Sequence, residues 1–239
     1  MTPDELTGRA DTHVVPLDDP GIRVHRGVLA PLAAMREAAA RAGMDLAVAS
    51  AFRDFGRQRG IWNAKWRGER PVLDAGGAPV DALALAPPAR VEAILRWSAL
   101  PGGSRHHWGT DLDLWDRAAV APGYRLRLVP DEYAPGGPFA ALDAWLDRNM
   151  RRYGFYRPYA TRGNGVQPEP WHVSFAPLAE PARRRLDVAM LAAAIKGGGV
   201  LGEDAILAAL PLIHARYLAS VDRPPRMRSR WARAGRRIA

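Results

Sequence analysis

Ser104-Arg-His-His-Trp-Gly-Thr-Asp-Leu-Asp-Leu-Trp115 is the stretch of this 239-residue chain that decides its fold. After a turn at Gly109, residues 110–115 alternate polar and apolar side chains, a pattern that predicts a β-strand. On that strand Asp111 and Asp113 share one face. Two carboxylates on one face repel each other unless a cation or hydrogen bonds take up their charge. The pattern therefore favours a metal site, with an exposed polar face as the alternative.

The same stretch supplies two adjacent imidazoles, His106 and His107. A turn that folds back places one of them beside the carboxylates of the following strand. The chain has no cysteine, which excludes disulfides, thiolate zinc sites and cysteine nucleophiles. Any metal site must then use His, Asp and Glu, a set that suits catalytic zinc better than structural zinc.

A second informative segment is Gln167-Pro-Glu-Pro-Trp-His-Val173, where Glu169 stands three residues before His172. Prolines on both sides of the acid limit how far either side chain can move. A lone histidine here would more often be a core residue with satisfied hydrogen bonds. Together with the first segment, two histidines and one aspartate give three ligands and leave a fourth tetrahedral position for water. Glu169 is then the natural base.

A third segment, Ala49-Ser-Ala-Phe-Arg-Asp-Phe-Gly-Arg-Gln58, places Arg53 and Gln58 where a strand gives way to a helix. An arginine there can hold a carboxylate through two parallel hydrogen bonds, and the glutamine can reach the same pocket. The alternative is a surface arginine paired with Asp54 or Glu37.

Together these segments resemble the zinc D-alanyl-D-alanine carboxypeptidases of the vancomycin-resistance type, which include D,D- and L,D-carboxypeptidases. The family signature is Ser-x-His, then x-x-Gly-x-x-x-Asp, and later Glu-x-Trp-His, preceded by Ser-x-x-Arg with Gln five residues on. Every position of it is met, by Ser50, Arg53, Gln58, Ser104, His106, Gly109, Asp113, Glu169, Trp171 and His172. The resemblance covers roughly residues 45 to 177, and three ordered segments are more specific than any single one.

The resemblance implies a role for each matching position. The zinc ligands would be His106, Asp113 and His172. The catalytic base would be Glu169, with Arg53 helping to stabilise the oxyanion. The substrate contacts would be Arg53, Gln58 and Ser104. There is one departure, because the family usually has a small residue where Asp111 stands. Asp111 then either competes as a ligand or shapes the pocket, and His107 is a second imidazole beside the expected ligand.

The periodicity of the chain predicts an α+β fold with a small central antiparallel sheet flanked by helices. The resemblance adds that this is the fold of the zinc D-Ala-D-Ala peptidases and hedgehog-like proteins. Helices are predicted at residues 31–42, 54–65, 88–97, 139–153, 180–195 and 203–218, strands at 45–50, 110–115 and 171–175, and a loop at 68–79. We expect a carboxypeptidase domain over 1–178, a helical appendage over 179–222 and an arginine-rich tail over 223–239.

Composition limits the choice of partners. At 48% hydrophobic and 25% charged residues, the chain is typical of a globular protein. Its net charge of +9 includes seven arginines after residue 222, so residues 1–222 carry only +2. We therefore expect a solvated, poorly ordered tail and no specific nucleic-acid partner, with weak binding of nucleic acid or anionic glycan as the alternative. No apolar stretch is long enough to span a bilayer.

These observations predict a zinc metallocarboxypeptidase that removes the C-terminal D-alanine from peptidoglycan stem peptides. No secretory leader is visible, which favours a cytoplasmic enzyme, or a periplasmic one if a leader was removed. A cytoplasmic location favours L,D activity on tetrapeptides in murein recycling. The alternatives are a D,D-carboxypeptidase acting on pentapeptides, a peptidoglycan endopeptidase of the same fold and a non-catalytic zinc-binding protein.

Overall fold

Short strands and helices alternate irregularly along the chain in the computed structural model, which describes residues 1–161, 165–224 and 231. In chain order these are α1 (Pro3–Leu6), β1 (Val14–Pro16), β2 (Arg23–His25), α2 (Leu29–Ala40), β3 (Leu46–Ser50), α3 (Phe55–Trp66), β4 (Val72–Leu73), β5 (Pro79–Val80) and α4 (Pro87–Leu95). They continue with β6 (Asp111–Asp116), α5 (Pro130–Tyr133), α6 (Ala140–Asn149), β7 (Phe155–Tyr156), β8 (His172–Phe175), α7 (Ala176–Arg185), α8 (Val188–Ile195) and α9 (Glu203–Ile213).

A four-stranded sheet with the order β3-β6-β8-β7 forms the centre, and all its neighbouring strands are antiparallel. The predicted α+β class with a small antiparallel sheet is confirmed. The register pairs Ser50 with Asp113, and Asp113 with His172. Sheet pairing thus places three residues of the predicted motifs in one row across three strands.

Two hydrophobic clusters stabilise the protein, and the motif of residues 104–113 runs from one to the other. One cluster joins the sheet to α2 and α6, and it includes Leu112 of the motif. The other joins α3 and α4 to α7, α8 and α9, and it includes Trp108. The segment between them is therefore anchored by buried apolar side chains on both sides, which fixes the polar residues that it carries.

Several predicted elements differ in detail from the structure. The predicted helix over 180–195 is two helices, because Leu186 adopts an extended conformation and Asp187 begins α8 by accepting a hydrogen bond from the Met190 backbone N–H. The predicted loop over 68–79 contains the first strand and the start of the second strand of a small hairpin, in which β4 pairs with β5. The predicted helix over 203–218 ends at Ile213 and continues as a π-helical turn over His214–Ala219.

Two remaining predictions concern the C-terminal tail and membrane-spanning segments. Most of the predicted arginine-rich tail, residues 225–230 and 232–239, lies outside the described residues. Within the described part, no helix has both the length and the apolar character that crossing a bilayer requires.

Candidate metal centre and cleft

Three buried side chains from separate elements converge at the centre of the molecule. His106 lies in a 3-10 turn over Arg105–Trp108, Asp113 on β6 and His172 at the start of β8. One potential ligand atom from each lies within 4.8 Å of the other two. Gly109 ends the 3-10 turn with φ 63°, and a Cβ there would lie 2.7 Å from the His25 backbone nitrogen. Only glycine fits this reversal, which brings the turn back over the strand.

The tautomer of His106 follows from its hydrogen bond. Its Nδ1 lies 2.7 Å from the Ala51 carbonyl oxygen, which can only accept, so Nδ1 carries the proton. Burial lowers the pKa of this imidazole to about 3, which keeps the ring neutral at neutral pH. The unprotonated Nε2 then faces Asp113 Oδ2 at 3.5 Å. His106 therefore presents a free lone pair towards the centre of the cluster.

His172 presents the opposite nitrogen. Its Nε2 lies 3.0 Å from Asp111 Oδ1, so Nε2 donates to that carboxylate. Its Nδ1 lies 3.3 Å from Asp113 Oδ1 and 3.2 Å from Glu169 Oε2. Although burial opposes charge, these three carboxylates raise the pKa of His172 well above its usual value. The surroundings of Nδ1 therefore favour a positive charge at that place.

The donor set fits a divalent cation such as zinc. Asp113 Oδ1 and His172 Nδ1 are buried and make no hydrogen bond, which is costly for polar atoms unless another partner satisfies them. Two imidazole nitrogens and one carboxylate are a common ligand set of catalytic zinc, and they leave a coordination position open. The arrangement therefore provides three ligands for a metal with room for water or substrate.

The Glu169 side chain lies on the cleft side of the three ligand residues. Its backbone N–H donates to the Tyr159 carbonyl at 3.0 Å, and its own carbonyl accepts from the His172 N–H at 3.1 Å. These bonds fix the acid against the start of β8. The Glu169 side chain is 16% exposed and lines the cleft, so a carboxylate reaches the metal centre from the solvent side.

The side chain of Arg53 also lines the cleft. Its Nη1 donates to Gln58 Oε1 at 2.7 Å and its Nη2 to Ser50 Oγ at 3.3 Å. It forms no ion pair with a carboxylate within the described part of the chain, in contrast to the surface-pair alternative. Burial lowers the pKa of the guanidinium, while Asp113 and Glu169 act in the opposite direction. A half-buried cation without an ion-pair partner among the described carboxylates faces the cleft.

Two other residues with predicted substrate contacts differ in their surroundings. Ser104 is 1% exposed, lines the cleft, and its Oγ has no hydrogen-bond partner. Gln58 is buried behind Arg53, and its Nε2 donates to the Ala99 carbonyl at 2.7 Å. Both ends of its amide are thus occupied by protein groups, and it does not line the cleft. The predicted contact of Gln58 with substrate stays a prediction, and its visible contact is with Arg53.

Asp111 and His107, the two other candidate ligands, both make their hydrogen bonds away from the three convergent ligand atoms. Asp111 is fully buried on the Nε2 side of His172, opposite to the convergent nitrogen. His107 donates from Nδ1 to the Arg53 carbonyl at 2.6 Å and accepts at Nε2 from the Gly102 N–H at 3.1 Å. With both ring nitrogens engaged, His107 links the backbone of Arg53 to the turn that precedes the motif.

The cleft includes residues that the motifs do not contain. Its volume is about 130 Å³, small beside the roughly 300–1,000 Å³ of sites for drug-sized ligands. The Tyr159 ring packs edge-on against His172 with centroids 5.0 Å apart. Trp97 follows α4, and Tyr217 lies in the π-helical turn. These aromatic residues come from loops and helix ends, where no periodic pattern or short motif signals a functional position.

Comparison with known proteins supplies an independent finding. Residues 21–178 match the VanY family, described as D-alanyl-D-alanine carboxypeptidase. An uncharacterised protein of Haemophilus influenzae is 36% identical over 121 residues, which span 50% of this chain and 92% of that protein.

Two solved structures share the fold of the chain. The structure of VanYB in complex with D-alanine-D-alanine matches with a TM-score of 0.50 and 24% identity, over 83% of this chain and 90% of that one. The LdcB LD-carboxypeptidase matches with a TM-score of 0.53 and 19% identity, over 84% and 79%. At these identities the likeness shows the fold alone.

Proposed function

Because this chain belongs to the D-alanyl-D-alanine carboxypeptidase family, we propose that it is a zinc-dependent carboxypeptidase that releases the C-terminal D-alanine of peptidoglycan stem peptides. The observation that carries the proposal is the convergence of two imidazoles and one carboxylate, with Glu169 reaching them from the cleft. An acid beside the three ligands supplies the proton-transfer group that hydrolysis needs and that a non-catalytic zinc site does not.

The metal would be held by His106 Nε2, His172 Nδ1 and a carboxylate oxygen of Asp113. These are the atoms that the two ring hydrogen bonds leave facing one another. Zinc bound there would polarise the scissile carbonyl and lower the pKa of a bound water.

Glu169 is the proposed general base. In hydrolysis a water adds to the carbonyl carbon, the peptide C–N bond breaks, and the leaving amine must gain a proton. Glu169 accepts the proton of the attacking water and returns it to the leaving D-alanine nitrogen. Its backbone hydrogen bonds at the start of β8 keep the carboxylate in place for both transfers.

Arg53 and Ser104 would hold the free carboxylate of the terminal residue. The Arg53 guanidinium lacks an ion pair with the described carboxylates, and the Ser104 hydroxyl has no partner. A carboxylate supplies acceptors for both, and a charge-assisted pair of this kind is among the stronger hydrogen bonds. Recognition of a free C-terminus is what makes such an enzyme an exopeptidase. Gln58 would act through Arg53 by fixing its guanidinium.

Two more cations support an acidic peptide as the substrate. The charges of Lys65, near the end of α3, and Arg70 act on each other, and Lys65 is also within electrostatic reach of Glu169. Burial and Arg70 lower the pKa of Lys65 to about 8. Lys65 forms no ion pair with any residue that the structure describes. Stem peptides carry carboxylates besides their C-terminus, and these cations would attract them.

For the preferred substrate, we propose the tetrapeptide and hence L,D activity in murein recycling, with D,D activity on the pentapeptide as the alternative. The test is to incubate zinc-loaded protein with a muropeptide tetrapeptide and a pentapeptide in parallel, and to identify the products by mass. We expect loss of one alanine from the tetrapeptide and no product after chelation.

Three other results are distinguishable, and each would contradict a different part of the proposal. Cleavage of the pentapeptide alone would make the protein a D,D-carboxypeptidase. Release of a longer fragment from cross-linked material would make it an endopeptidase. Stoichiometric zinc without cleavage of any of these substrates would overturn the assigned activity.

A further inference from the structure

We infer that Asp111, held by Arg105, is a positioning residue that fixes the tautomer of His172 and so aims its Nδ1 at the metal. The inference rests on the proposed metal centre. Asp111 is a second buried acid on the strand that carries Asp113, and it lies outside the group of three convergent ligand atoms.

A hydrogen bond joins Asp111 to the ring of His172. Asp111 Oδ1 lies 3.0 Å from His172 Nε2, and both side chains are buried. A carboxylate can only accept, so the proton of the neutral ring is held on Nε2. The lone pair is then on Nδ1, the atom that faces Asp113 and Glu169. Carboxylate–histidine–metal arrangements of this kind set ring orientation and increase ligand basicity.

Two further hydrogen bonds hold the Asp111 carboxylate in place. Its Oδ1 also accepts from Arg105 Nε at 2.7 Å, and its Oδ2 accepts from Thr110 Oγ1 at 2.8 Å. Both oxygens are therefore engaged on the side of His172 away from the convergent nitrogen. This arrangement keeps a third buried acid close to the centre without allowing it to become a ligand.

The Arg105 side chain is itself held by neighbouring strands. Its Nη2 donates to Ser174 Oγ at 2.7 Å and to Tyr156 OH at 3.1 Å. The tyrosine hydroxyl in turn donates to Glu180 of α7 at 2.8 Å. The Arg105 side chain is 4% exposed, so its guanidinium is fixed by strands and a helix and not by solvent. Arg105 orients Asp111 through its hydrogen bond and also balances the charge of the buried carboxylate, which a neutral donor could not do.

The two histidines of the centre are therefore oriented by different means. His106 donates to a backbone carbonyl, that of Ala51, which any sequence supplies. His172 donates to a side chain whose charge requires a buried partner. The second arrangement can be removed by substitution without touching a metal ligand, and this makes it testable.

The test is the double variant R105M/D111A, which removes both buried charges together, because removing one alone would leave an uncompensated charge. Zinc affinity of the metal-free protein is measured by competition with a chelator, and the cobalt-substituted protein is examined by absorption spectroscopy. We expect zinc binding to weaken by about 10- to 100-fold, the usual effect of losing such a partner, with an altered cobalt spectrum. The matched control is R36M/D19A, which removes another ion pair, and it should keep the wild-type affinity.

A second measurement uses the wild-type protein and does not depend on the folding of a variant. In the zinc-loaded, nitrogen-15-labelled protein, the ring of His172 should show a hydrogen-bonded proton on Nε2 and metal on Nδ1. Metal on Nε2, or an unchanged zinc affinity and cobalt spectrum in a folded R105M/D111A protein, would overturn the positioning role alone. A wild-type protein that binds no zinc would instead overturn the proposed function.

Discussion

The protein contains two buried histidine pairs that look alike and differ in what surrounds them. His13 and His25 have ring centroids 5.7 Å apart, and His106 and His172 have centroids 4.9 Å apart. All four side chains are buried. Proximity and burial of imidazoles are therefore not what distinguishes the candidate metal centre from an ordinary part of the core.

The difference lies in the neighbouring carboxylates. In the first pair, the ion pairs formed within the described residues are limited to His13 Nδ1 and Glu5 Oε1, at 3.6 Å. Burial lowers the pKa of both rings there, that of His25 to about 4. In the second pair, burial likewise lowers the pKa of His106, but the acids around His172 overcome burial and raise its pKa well above the usual value. Surrounding acids, more than the histidines, mark the place where a cation is stabilised.

The largest expected effect is a loss of zinc binding when one ring of the second pair is replaced, compared with no loss when one ring of the first pair is replaced. H172A removes the ligand atom, and we expect zinc to bind more than about 100-fold more weakly, since even loss of a supporting partner costs 10- to 100-fold. Hydrolysis should fall below detection. H25N keeps the acceptor for the Gly27 N–H at the start of the 3-10 turn, so it should retain zinc and activity. Metal analysis after dialysis and a peptide-release assay measure both quantities.

Two results in these variants would contradict the contrast between the two histidine pairs. Equal zinc content in H172A and the wild type would mean that the metal, if present, is held elsewhere. Loss of zinc in H25N, with a normal circular dichroism spectrum, would extend the metal centre to the first pair.

The next effect concerns the carboxylate that faces the second pair from the cleft. In E169Q the amide preserves shape but cannot accept a proton, so kcat should fall by about 10²–10⁴. Zinc content should stay at the wild-type level, because the proposed ligands are untouched. Undiminished turnover in a zinc-loaded E169Q protein would eliminate Glu169 as the base. E37Q, on α2, is the control and should leave kcat unchanged.

Much of the fold was readable from sequence, and the errors have local causes. Apolar periodicity indicated α2, α3 and α4 and the strands β3, β6 and β8 to within a few residues. The same periodicity continues through Leu186 and Asp187, so it did not reveal the break between α7 and α8. Asp187 was the available signal, since an acid with a free backbone N–H three residues later can begin a helix.

For the site, short spacings carried most of the information. The sequence motifs predicted four site residues, and their side chains lie close together in the structure: His106, Asp113, His172 and Glu169. It could not show what Asp111 contacts, because its partner His172 is 61 residues away in the chain. Contacts of this range depend on strand register, which a single sequence specifies only through the completed sheet.

The smallest predicted effect is on stability and belongs to the first pair. Burial, with the nearby charges of His13 and Arg26, lowers the pKa of His25 from 6.5 to about 4. The unfolded chain therefore binds this proton more readily than the folded protein, so folded stability is full above pH 6.5 and falls as the pH drops towards 4. By pH 5 the loss due to His25 should be about 2 kcal/mol. In H25N that titration is absent, so urea unfolding at pH 7 and pH 5 should show a change smaller by this amount. Equal changes in H25N and the wild type would mean that burial does not shift the pKa of this ring, and the contrast between the two pairs would then lose its electrostatic basis.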